Sequence, residues 1–255
     1  MSALKPTASR KFLPQEVIIS EITADDAKSV AEGYFASFPT AWFDRVEPVE
    51  LRASHAVRVL RFSELVKAWI TEPHTRWTKA TLAPWSSEFD SVHPNRVIGH
   101  AGWLRPGRTA SEILNLWRSD AGEKLKWRER MGWTESYEQE IWSGVDLNEY
   151  QTKNLLYWDK VRESYVQGVG HWLLAPLWVV PEHHGRGVAS LLLRDGIEMA
   201  ERETPLPPMY LEAMPEARPI YEHFGFRGVE GPGEGVVMIR NPPPGVKTLI
   251  KKAPE

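Results

Sequence analysis

The chain has 255 residues, a formal net charge of −3, 42% hydrophobic and 25% charged residues, and no cysteine. Such a balance is globular, with enough chain for one full core, and it excludes disordered and fibrous classes. The charge excludes an overall basic field for nucleic acid, and the missing cysteine excludes disulfides, thiolate metal sites and a cysteine nucleophile.

No apolar run approaches the ~20 residues of a membrane helix. Met1 to Pro14 lacks the apolar stretch of a secretory signal and reads as a disordered tail. Glu16 to Ile22 is β-rich and predicts a first strand. Thr23, with Asp26 three residues on, predicts a capped helix that ends near Phe38-Pro39. A second helical stretch runs from about Glu50 to Ile70. Arg76 to Leu82 and Arg96 to Trp103 predict a hairpin, closed by Pro106-Gly107. Residues 108–167 read as a helical insertion rich in Trp and Tyr. Its aromatics, among them Trp117, Trp127, Trp142, Tyr150 and Trp158, either pack helices together or line a pocket for an apolar amine.

His171 to Val180 is nearly all apolar, as in a strand buried on both faces, and Pro176 inside it must break the ladder. A Gly-rich turn leads into a helix from Val188 to about Glu203. A short strand (209–213), a short helix (217–224) and a closing strand pair (226–229, 235–240) follow. The strand–helix–strand unit at 171–213 implies a parallel pair joined by a right-handed crossover. This gives a single domain over 15–240 with the insertion at 108–167, flanked by the 1–14 tail and a Pro-rich tail at 241–255. Residues 246–252 of that tail could add a strand to the sheet of a second copy, as in a homodimer.

The turn carries the chemistry. In His184-Gly185-Arg186-Gly187-Val188-Ala189-Ser190, the glycines permit tight, side-chain-free backbone turns. Successive amides can then converge at a helix N-terminus, a site suited to a pyrophosphate, with Arg186 adding charge. A plain turn whose glycines serve geometry alone is an equal reading. A Walker loop is excluded because Gly-Lys-Ser/Thr is absent. A dinucleotide fingerprint stays open on spacing, since Glu212 stands about 20 residues on, though such turns normally come early in a chain.

The same segment, with Val179-Val180-Pro181 before it, resembles the acetyl-CoA signature of the GNAT superfamily of N-acetyltransferases, with His184 where Gln or Arg is usual. Tyr210-Leu211-Glu212-Ala213, followed by Ala217 to Phe226, resembles the last motif of that family, with Met214 where Asn is common. Val97 to Trp103 resembles its third strand. The chain looks closest to the branch of puromycin acetyltransferase-like and uncharacterised fungal proteins. The resemblance implies an α/β (α+β) fold: a mixed, mostly antiparallel twisted sheet with a central parallel pair, flanking helices and a splay beside the fourth strand. It implies acetyl-CoA as cosubstrate and direct transfer to a primary amine. A small-molecule amine comes first as acceptor, then a protein lysine or N-terminus; a non-catalytic acetyl-CoA-binding module is the alternative. It implies cofactor contacts from Leu177, Trp178 and Val179 and from the 184–190 turn. Tyr221 is implied as general acid and a cofactor contact, and Glu212 is a candidate base. His171, His183, His184 and His223 are lesser candidates, no metal is assigned, and the expected setting is cytoplasmic.

Overall fold

A computed structural model describes residues 10–106 and 114–249. Its seven-stranded sheet has the order β1 (Val17–Glu21), β2 (Thr75–Leu82), β3 (Gly99–Leu104), β4 (Trp172–Val179), β5 (Met209–Glu212), β7 (Val237–Arg240) and β6 (Arg227–Gly228). All neighbours are antiparallel except β4 and β5, which run parallel through Trp172↔Met209, Leu173↔Tyr210 and Leu174↔Leu211. The mixed sheet with one parallel pair is as expected.

Thr23 and Asp26 form the capping box before α1 (Ala27–Ser37), and Phe38-Pro39 ends that helix. An unexpected helix, α2 (Thr40–Val46), comes before the second helical stretch, which forms α3 (His55–Ile70). Helix α2 was hidden in the sequence because only Phe43 and Val46 of its seven residues are buried. Between residues 114 and 167 the insertion forms α4 (Ala121–Lys124), α5 (Trp127–Met131), α6 (Glu135–Trp142) and α7 (Leu156–Val166). A π-helical turn over Tyr150–Leu155 precedes α7. Residues 108–113 of the insertion lie outside the described residues. The last two helices are α8 (Val188–Ala200) and α9 (Arg218–His223).

Strand alternation assigns the helices to faces. Trp77, His100 and Trp178 share one face, where Trp77 stacks on Trp69 of α3 and Trp178 lies over Gly33 of α1. Gly99 and Trp103 share the other face, against Val188, Leu192 and Gly196 of α8. Beyond the parallel pair, α7 lies on the first face, with Trp158 and Val161 closing on Gly233 beside Val237. Most aromatics of the insertion pack helices: Trp117, Trp127, Trp133, Trp142 and Tyr150 are all buried. No helix among the described residues is long and apolar enough to cross a membrane.

Of the tail expected over 1–14, residues 10–14 are held in place: Phe12 is buried, its amide donates to the Arg186 carbonyl at 3.0 Å, and Pro14 opens a 3-10 turn. At the other end, residues 247–249 pair with their own chain. Thr248 pairs with Val229, and the Leu249 amide donates to Gly228 at 2.8 Å. Residues 1–9 and 250–255 lie outside the described residues.

A Cβ at Gly196 would overlap the fully buried Trp103 indole. Gly196→Ala gains about 1 kcal/mol of helix propensity but overpacks a closed core at a cost of about 1–3 kcal/mol. A lower Tm by calorimetry is the expected result.

Candidate active site

The site begins where β4 loses a neighbour. Pro176 cannot donate to a ladder, and the β3–β4 register slips between Ala101 and Trp103. Pairing with β5 reaches no further than Leu174↔Leu211, so β4 from Pro176 to Val179 faces an opening on that side. The Val180 amide donates to Ile98 at 3.0 Å, which orients it toward β3. Backbone groups alternate sides along a strand, so Trp178 also faces β3 while Leu177 and Val179 face the opening. This corrects the expectation for Trp178: its amide belongs to the ladder and its indole to the α1 face. Leu177 and Val179 present the free amides.

The turn stands at the same end of β4. Gly185 (φ +71°) and Gly187 (φ +93°) adopt left-handed backbone, and open space lies where their Cβ atoms would be. Among the described residues, none of the amides of 185–190 donates a hydrogen bond, the first intrahelical one being Leu191 to the Gly187 carbonyl at 3.2 Å. No side chain caps α8. The amides of Gly185, Arg186, Gly187, Val188, Ala189 and Ser190 are therefore free for an anion at the positive end of a helix.

Two side chains of the turn do something other than expected. His184 Nε2 meets the Val179 carbonyl at 2.7 Å, so the ring closes the strand end instead of reaching outward. Arg186 points away from the free amides. Its side chain is 4% exposed, and the guanidinium pairs with Glu88, donates to the Arg10 carbonyl and lies 3.7 Å over the Phe12 ring. The anion-binding capacity of Arg186 lies in its amide and not in its side chain, contrary to the expectation of added charge, because Glu88 holds the guanidinium.

The loop after β5 leaves the same sheet end and carries Tyr221 on α9. The ring is buried against Phe226, and burial pushes the phenol pKa well up. Its hydroxyl makes no hydrogen bond among the described residues. Met214 stands exposed ahead of this helix.

Glu212 ends β5 on the opposite face, where α7 covers it. Burial pushes its pKa up to about 7, against the pull of the Arg162 guanidinium and a 3.2 Å hydrogen bond from the Tyr210 hydroxyl. Arg162 is itself held by Asp159 at 2.9 Å, and Arg118 pairs with the same carboxylate. Tyr150, at the start of the π-helical turn, lies within the field of both Glu212 and Tyr34. The Tyr34 oxygen accepts from the indoles of Trp42 at 2.8 Å and Trp117 at 2.9 Å.

His171 is buried, its pKa pushed down to about 4 by burial, and His183 packs on Phe12. His223 stacks edge-on against Phe224. Sequence reading missed Glu88, Tyr34 and Tyr210 as site-shaping groups. Tyr210 carried a signal, two residues from Glu212 on a strand and so on its face; Glu88, in an aperiodic loop, carried none.

Residues 170–238 match the family model described as the acetyltransferase (GNAT) domain. That match supports the GNAT acetyltransferase superfamily for this segment, the one holding the turn, β4, β5 and Tyr221. Among solved structures, the chain is similar to one from Corynebacterium glutamicum described as histone acetyltransferase HPA2 and related acetyltransferase: 18% identity, 89% of this chain and 97% of that one, TM-score 0.49. It is also similar to Arabidopsis thaliana NAA60 in complex with acetyl-CoA, at 14% identity over 91% and 98% of the two chains with TM-score 0.46. A GNAT family acetyltransferase from Brucella melitensis, in complex with acetyl-CoA, shows 13% identity over 84% of each chain with TM-score 0.40.

The Tyr210 bond favours the charged Glu212 carboxylate, so removing it has a definite sign. Tyr210→Phe is expected to move the Glu212 midpoint upward from about 7. Carbon-detected NMR titration of the side-chain carboxyl measures both midpoints.

Proposed function

We propose that this protein is an acetyl-CoA-dependent N-acetyltransferase that acts on a primary amine, with a small molecule as acceptor. The observation carrying the reading is the unsatisfied amides of 185–190 beside the open edge of β4. A long anionic thioester fits that pair of features: pyrophosphate on the helix N-terminus, acyl group at the opening. The domain match over 170–238 supports the same cosubstrate.

In this mechanism the amine nitrogen attacks the thioester carbonyl carbon directly. The Leu177 and Val179 amides donate to the carbonyl oxygen as it gains charge. The C–S bond breaks and Tyr221 protonates the departing sulfur. A phenol is protonated at neutral pH and so holds the proton that the departing sulfur needs; the burial that raises its pKa in the free protein works against the transfer. Glu212, directly or through water, takes the proton that the ammonium loses. A pKa near 7 suits a base working at neutral pH.

The small-molecule reading, nearest the puromycin acetyltransferase-like branch, draws support from Phe35, Phe38 and Trp42, half-buried aromatics around Tyr34. A cytoplasmic setting accords with a chain that has no cysteine. The competing non-catalytic module is favoured by one observation, the engagement of His184 with Val179.

An amine panel with acetyl-CoA, read by thiol release, decides between them: CoA binding with no amine ever consumed refutes the enzyme. Tyr221→Phe is expected to lower kcat about 10²-fold while the Kd for CoA stays put; unchanged turnover removes Tyr221 from the mechanism. Because Glu212 must be deprotonated to act, kcat/KM should rise through about pH 7 and level off above it. Glu212→Gln should abolish that limb, and a profile identical to wild type would assign it to another group.

A further inference from the structure

We infer that Phe12 and Glu88 form a clamp on the back of the 184–190 turn and so set its affinity for acetyl-CoA. The inference rests on the cosubstrate reading above. A guanidinium buried as deeply as Arg186 must be paired to be tolerated, and here it is held from several directions. Glu88 takes both ends of the fork, with Nη1 to Oε2 at 2.6 Å. Nε donates to the Arg10 carbonyl at 3.0 Å, and the Phe12 ring lies 3.7 Å beneath the guanidinium carbon. The main chain is held too, since the Phe12 amide donates to the Arg186 carbonyl at 3.0 Å. The Phe12 ring also meets His183 edge-on at 5.4 Å.

The clamp is itself anchored. Glu16 accepts two bonds from Arg10, each 2.6 Å, and one from the Leu13 amide at 2.8 Å. The Trp85 indole donates to the Gln15 carbonyl at 3.0 Å, and the Ala83 amide to the Glu16 carbonyl at 2.9 Å. The N-terminal segment and the loop leading to Glu88 are thus one unit against the turn.

The turn is therefore saturated with partners on one side and bare on the other. Its bare amides converge only while residue 186 keeps its place. Without the clamp, the turn must be ordered when the cosubstrate binds, and that entropy is subtracted from affinity. Bound cosubstrate needs the ordered turn, so the chemical step is left alone. Coupling is reciprocal: cosubstrate on the amides must tighten the Phe12–Arg186 contact on the far side.

Glu88→Gln and Phe12→Ala, in the full chain, test this by calorimetry with CoA. Each is expected to raise Kd about tenfold, while kcat at saturating acetyl-CoA stays within about twofold of wild type. In wild type, CoA should slow hydrogen exchange of the Phe12 amide. A fall in Tm with Kd unchanged in both variants assigns a merely structural role and overturns the clamp, as does Phe12 exchange that ignores CoA. If the variants do not fold, the wild-type exchange measurement decides alone. Wild-type protein that binds no CoA refutes the cosubstrate reading and the clamp with it. Normal wild-type binding with unchanged variants refutes the clamp only.

Discussion

Halfway along, β4 stops being an interior strand. Up to Leu174 it has a neighbour on both sides, and beyond Pro176 it has only β3. Backbone donors buried without a partner are costly, so an edge opened inside a sheet persists only where something else can meet it. The candidate site is arranged around that edge: the turn at its end, Tyr221 on the α8 face, and Glu212 on the face covered by α7. The parallel pairing of β4 and β5 brings the turn and Tyr221 together, because parallel neighbours release their following loops at the same end.

Electrostatics across the edge are unequal by construction. On the side of the turn, positive potential comes from amides and a helix N-terminus, without any exposed cation of the turn. Arg186, the one cation within it, is directed inward against Glu88. On the other face, Glu212 is kept near neutrality by burial, and Arg162 only partly offsets that burial. The carboxyl group can therefore change protonation state near neutral pH.

The insertion contributes in two ways. Most of its tryptophans build a helical layer over α3, as where the Trp127 indole donates to Glu72 at 2.9 Å. Its last segment supplies Tyr150 from a π-helical turn and Arg162 from α7, both within the field of Glu212. Turns of this kind cluster at functional positions because the extra residue re-aims a side chain.

Much of this was legible in the residues. Thr23-x-x-Asp26 capped its helix, the apolar run 171–180 became β4, and Pro176 broke the ladder where its missing N–H required. The glycines at 185 and 187 marked a turn with left-handed backbone, since few other residues adopt it cheaply. These are local properties, carried by propensity, periodicity and a missing donor. The tertiary structure alone decided where long side chains point. Arg186 reads as a phosphate ligand until Glu88, 98 residues away, and Phe12 claim it. Trp178 reads as a cofactor contact until strand parity turns its amide to β3. The Glu212 pKa depends on how deeply α7 buries it. Each of these outcomes depends on a neighbour distant in sequence, and burial and pairing exist only once the chain has brought that neighbour into place.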